Sequence, residues 1–246
     1  MGGRLSTFGE WFLGTFAQGE APAVTSIELA LILAGAAALS VPRATWRWFG
    51  LVSTVVHELG HAFSALMVGH RITGITLGLD HSGRTTSFGR TGLRTVWSGF
   101  WGYPVPAVVG AGLVWAGLTG WGPAAMSAGT LVLVSTVLFI RNAGGVFILL
   151  GTIAAVVGLM LFVPPVFTGH LVVGLGVALL VGAVRDLLNV TLVHVRHRHR
   201  LETSDAYLLS RRTVVPSAVW LFLFAAVIGG SWFLAWRAVG RVVAAL

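Results

Sequence analysis

Apolar runs of about 17 to 25 residues recur along this 246-residue sequence, and each is long enough to cross a bilayer's hydrocarbon core as a helix. Charged residues make up only 10% of the chain, against roughly 25% in soluble domains. A water-soluble single domain is therefore excluded. The pattern predicts an all-α polytopic membrane protein with six to seven transmembrane helices.

Seven segments can be drawn: Ser26 to Val41, Trp46 to Gly69, Val96 to Leu118, Pro123 to Ile140, Val146 to Val163, Val166 to Leu188, and Val214 to Trp236. The first is short for a span, and Pro104 and Pro106 interrupt the third, which is why six spans are as compatible as seven. Residues 1–25, with Trp11, Phe12, Leu13 and Phe16 broken by Gly9, Glu10 and Gly14, read as an interfacial amphipathic lead-in. Residues 26–240 read as one integral-membrane domain.

A net charge of +8 would suggest nucleic acid in a soluble chain. Here all 16 basic residues are Arg, most of them between apolar runs, so the charge reports orientation instead. With the N-terminus inside, the inner segments hold eleven Arg and the outer ones four, which favours a cytoplasmic N-terminus. The expected partners are the lipid bilayer and a membrane protein, with no nucleic acid; oligomeric state is not legible. Lys-free, Arg- and Ala-rich usage suggests a GC-rich bacterial genome, and hence the inner membrane of a bacterium.

Two connections are long. Residues 70–95 alternate through Ile72, Ile75, Leu77 and Leu79 into Asp80-His81-Ser82-Gly83, a β-hairpin pattern expected on the cytoplasmic side. Residues 189–213 interleave His194, His197 and His199 with Arg196, Arg198 and Arg200, and read as a solvated basic loop facing lipid headgroups.

The chemistry lies in the second segment, at His57-Glu58-Leu59-Gly60-His61. Two His four residues apart project from one helix face, the spacing two ligands of one Zn²⁺ require, and Glu58 is placed to take a proton from the metal's water. Paired His and a Glu are expensive in an apolar span, which favours function over satisfied core histidines. Catalytic zinc usually takes a third protein ligand, and with no cysteine in the chain this must be Asp, Glu or His. Asp186 is the first choice, being deep in the sixth segment at a depth compatible with His57 and His61. Asp205 is the runner-up, because its loop is wet and charged and an N-cap role is the plainer reading. His170 lies sixteen residues before Asp186, roughly 160° away around the helix, so the two should not share a face. Asn142 and Asn189 are candidates to hydrogen-bond a developing oxyanion, and Asn142, following Arg141 at a span end, reads equally as a helix cap.

These residues resemble the site-2 protease group, the M50 family of intramembrane zinc metallopeptidases, and its M50B-like bacterial branch in particular. The resemblance rests on His57-Glu58-Leu59-Gly60-His61 in an apolar helix, the Gly74 to Gly89 hairpin that follows, and a later helix with an Asp. It implies that His57 and His61 are zinc ligands and Glu58 the catalytic base, and that the hairpin presents a strand edge to a membrane-protein substrate with a transmembrane segment. The family's usual third-ligand motif places Asp directly before Gly, a pair this chain does not contain. Two other functions are open to such a chain. A catalytically inactive scaffold that binds single-span proteins would bring no third ligand to His57 and His61. A metal transporter would line a path with His57, Glu58, His61, His170 and Asp186.

Overall fold

The computed structural model describes Gly14, residues 16–196, 201–202 and 204–244. The Trp11, Phe12 and Leu13 lead-in and the His197 and His199 pair lie outside the described residues. The helices are α1 (Ser26–Ser40), α2 (Arg43–Met67), α3 (Leu93–Phe100), α4 (Pro104–Leu118), α5 (Gly122–Thr136), α6 (Ala143–Phe162), α7 (Thr168–Arg196), α8 (Asp205–Arg212) and α9 (Ser217–Val243). A two-stranded antiparallel sheet, β1 (Arg71–Leu77) and β2 (Gly83–Phe88), interrupts them after α2. Among the described residues, four helices are long and apolar enough to span a bilayer, or up to six if each of two bent pairs is one span. The all-α membrane architecture with a small hairpin is thus what the sequence predicts.

Both bends have a residue-level cause, and both bear on the site. Pro42 caps α2 in an extended conformation, and α1 meets α2 at 89°. The corner leaves carbonyls at the end of α1 without helical partners. From α7, Arg185 Nη1 donates to Ser40 O at 2.9 Å and Val41 O at 2.7 Å while its guanidinium lies 4.5 Å from the Trp46 ring centre. Arg185 is therefore committed to this corner and not to its neighbour Asp186. The second bend, 55° between α3 and α4, falls just before Pro104, where Trp101, Gly102 and Tyr103 form the connection.

The bundle core is the antiparallel contact of α4 with α7. A Cβ on Gly110 would meet the carbonyl of Gly176 and the reverse, and Gly117 and Gly169 are related in the same way one heptad along. Backbones this close require small residues on both helices. Of the glycines in Gly110-Ala111-Gly112 and Gly174-Leu175-Gly176, only Gly110 and Gly176 serve this contact; Gly112 has open space beside it.

The hairpin is tied down on three sides. His70 Nε2 donates to Arg90 O at its base, and His81 Nε2 reaches Arg47 O at 3.2 Å from its tip. The outer edge of β1 is closed by the α5–α6 connection, where Ile75 bridges Ile140 and Arg141 N donates to Ile75 O at 2.9 Å. Asn142 completes this edge. Its Nδ2 donates to Leu77 O at 2.8 Å, and its Oδ1 accepts from Leu77 N at 3.1 Å and Gly145 N at 3.3 Å. Asn142 is thereby a structural clamp and a helix cap, occupied before any substrate arrives. Removing it strands the buried Leu77 backbone groups, so Asn142→Ala should cost about 2 kcal/mol, read as lowered thermal stability in detergent; an unchanged melting temperature would contradict this role.

The described residues of the segment 189–213, read as a loop, are mostly helical. Helix α7 continues to Arg196, where its last-turn His194 and Arg196 complement the helix dipole. Helix α8 then returns towards the bundle, burying Ala206 and Leu209 against Phe224, Phe100 and Tyr103. This return decides the composition of the site.

Candidate metal centre

Helix α2 is unbroken from Arg43 to Met67 and ends where Gly69 turns left-handed, at φ 80°. Its regularity puts His57 and His61 on one face, one turn apart, with ring centres 4.9 Å from each other. Their Nε2 atoms are 3.2 Å apart. Asp205 Oδ2 lies 3.3 Å from His57 Nε2 and 3.1 Å from His61 Nε2. Three corners of a tetrahedron with bonds of about 2.0 Å are separated by about 3.3 Å, so the three donors stand where one cation's ligands would. Two neutral imidazole nitrogens and a carboxylate oxygen suit a borderline-soft divalent ion such as zinc.

Two further observations fit a metal. The Nδ1–H of His61 donates to Ser98 O at 2.8 Å, and because a carbonyl only accepts, the Nε2 lone pair is left facing the other two donors. Gly102, in the bend between α3 and α4, passes directly over the ligands: a Cβ there would collide with Nε2 of both His57 and His61. The absent side chain is the space an ion needs.

Glu58 is 3% exposed. Thr85 Oγ1 donates to Glu58 Oε2 at 2.6 Å and to Glu58 O at 3.1 Å. Strand β2 crosses the carboxylate so closely that a Cβ on Gly83 would collide with Oε1. The hairpin thus holds the carboxylate beside the ligands without Glu58 joining them. His57, Glu58, His61, Tyr103, Asp186 and Asp205 all line one cleft of about 1320 Å³, with Arg84, Glu202 and Arg212 among its polar wall.

Of the four residues expected at the site, His57, Glu58 and His61 come together, and Asp186 does not join the ligand group. Asp186 accepts from Ser53 Oγ at 3.0 Å, one helical turn before His57 on α2. The third converging donor is Asp205, the alternative. It stands in the first turn of α8, which the buried Ala206 and Leu209 draw inwards; Gly99 lets Leu209 approach α3 closely. The signal for this placement is the Ala206/Leu209 spacing after Ser204-Asp205, a short amphipathic helix inside a charged stretch. Gly102 and Tyr103 carry no comparable signal in the sequence. His170 lies elsewhere, 3.7 Å from Glu28 at the opposite end of α7, and Asn189 lines the cleft.

A family model described as Peptidase M50B-like matches residues 29–235. The chain belongs to this peptidase family. Comparisons with curated proteins and with solved structures return no match.

Proposed function

We propose that this chain is an intramembrane zinc metalloprotease that hydrolyses peptide bonds in or near the transmembrane segments of membrane proteins. The convergence of His57, His61 and Asp205 beside Glu58 in one cleft carries the reading. A bound zinc ion would polarise the scissile carbonyl and lower the pKa of its water to about 7. Glu58 accepts a proton from the attacking water as its oxygen bonds to the carbonyl carbon. The C–N bond then breaks, and Glu58 returns the proton to the leaving nitrogen. Thr85 aims the carboxylate throughout, and His61 keeps its tautomer through Ser98 O.

A helical peptide bond is shielded, so the substrate segment must unwind to react. The outer edge of β2 has no strand partner among the described residues, and β2 borders the cleft. An extended substrate can add there as a third strand; β1 cannot accept it, because Ile140, Arg141 and Asn142 already fill its outer edge. Lys-free, Arg- and Ala-rich usage supports a bacterial inner-membrane location, and the Arg bias of the connections supports a cleft opening to the cytoplasm. A third converging donor speaks against an inactive scaffold, and the pairing of His170 with Glu28 away from the cleft speaks against a transport path.

The test is Glu58→Gln, which preserves an acceptor for Thr85 and removes the base. Purified protein should keep one zinc per chain, while cleavage of a co-expressed single-span membrane substrate falls by about 10²- to 10⁴-fold. Cleavage surviving at the wild-type rate would sink the mechanism.

A further inference from the structure

We propose that Tyr103 is a catalytic residue whose hydroxyl hydrogen-bonds the oxygen of the tetrahedral intermediate during peptide hydrolysis. The inference rests on the peptidase reading above and adds to it a second stabiliser of the developing negative charge. Tyr103 follows Gly102, the residue whose backbone covers the metal ligands, and it precedes Pro104 at the start of α4, so the bend that makes room for the ion also fixes the origin of this side chain. Its ring stands edge-on to the His57 ring, with centres 4.8 Å apart at 86°. Phe224 of α9 stacks on it at 5.4 Å and 22°. Two contacts of defined geometry hold the ring in place.

The hydroxyl has no hydrogen-bond partner among the described residues, although Tyr103 lines the cleft that contains Glu58 and Asp205. Three nearby hydroxyls are committed: Thr85 to Glu58, Ser98 to Thr95 O at 3.1 Å, and Ser53 to Asp186; Ser204 Oγ is buried in the same cleft without a partner among the described residues but stands at the start of α8, not on a ring packed against His57. A free donor on a ring fixed against a metal ligand is what electrostatic stabilisation requires, because it needs no reorganisation when charge develops. Loss of one such donor costs about 10²- to 10³-fold in kcat where it has been the principal one. Here it would share the charge with the ion, so a loss of about 10-fold or more is expected. Asn189 lines the same cleft but is exposed, and no element packs it against a ligand.

The experiment compares zinc-loaded, full-length wild type, Tyr103→Phe and Asn189→Ala in detergent. Each is assayed for zinc content, melting temperature, kcat and KM on a single-span membrane substrate, and affinity for a Phe-Leu phosphinic pseudopeptide, whose tetrahedral phosphinate mimics the intermediate. The expected result is that Tyr103→Phe keeps one zinc per chain and its melting temperature, binds the phosphinate at least about 10-fold more weakly, and loses kcat with KM little changed. Equal phosphinate affinity in Tyr103→Phe and wild type would overturn the assignment, as would loss of zinc in Tyr103→Phe or a weakening confined to Asn189→Ala. Failure of wild type to bind the phosphinate or to cleave any membrane substrate would instead overturn the peptidase reading, and this inference with it.

Discussion

Asp205→Ala is expected to strip the protein of zinc and of activity together, while Asp186→Asn keeps a full complement of metal. The difference follows from geometry. Asp205 supplies an oxygen within 3.3 Å of both imidazole donors, whereas the Asp186 carboxylate is held by Ser53. Without Asp205, two histidines and solvent remain, fewer than the three protein ligands a catalytic zinc site usually has. Metal analysis after gel filtration in zinc-free detergent buffer reads the outcome as zinc per chain: near one for wild type and Asp186→Asn, near zero for Asp205→Ala. Zinc retained by Asp205→Ala and lost from Asp186→Asn would restore the ligand set that position in the sequence favours.

The second large effect comes from a residue with no chemistry of its own. Gly102→Ala should lower zinc affinity by about 100-fold, the upper end of the scale on which supporting contacts around a metal site act. Gly102 is not among the glycines with positive φ, which among the described residues are Gly69, Gly92 and Gly120, so alanine is compatible with its backbone. The new methyl would fall on Nε2 of His57 and His61 and take the ion's place. Gly112→Ala is the control, because a Cβ there meets nothing within 4 Å. Competitive titration of the metal-free proteins with a zinc indicator dye separates the two. Equal affinities for both variants and wild type would show that the ion does not sit under the α3–α4 bend.

The sequence makes local geometry legible and long-range geometry much less so. His57 and His61 are readable because helical spacing fixes their relation inside one apolar segment, and Glu58 follows from its place between them. The hairpin is readable because alternation and a turn over Asp80 to Gly83 are both local, and β1 and β2 fall within residues 70–95. The third ligand depends on where a separate helix docks. Ala206 and Leu209 pull Asp205 inwards through contacts with Phe100, Tyr103 and Phe224, distant in sequence, and the surrounding Arg and His residues make the stretch look like solvent-facing loop.

The broken third segment shows the same limit. Pro104 and Pro106 are visible as an interruption, but the interruption's function, to set Gly102 over the ligands and Tyr103 beside His57, needs α2 and α4 in register. Similarly, Asn142 reads equally as an oxyanion donor or a helix cap; the structure makes it the cap, and the use of both ends of its amide on Leu77 has no local signal. Arg185 and Asp186, adjacent in sequence, act apart: successive helical positions do not face each other, and they serve the α1–α2 corner and Ser53 respectively.

The central claim is that His57, His61 and Asp205 together hold one metal ion. X-ray absorption at the zinc edge, on purified wild type loaded with one equivalent of zinc, tests it most directly. The account predicts a four-coordinate shell of nitrogen and oxygen at about 2.0 Å, with the outer-shell scattering of two imidazoles. A fully hydrated zinc, or a shell holding fewer than two imidazoles, would contradict it.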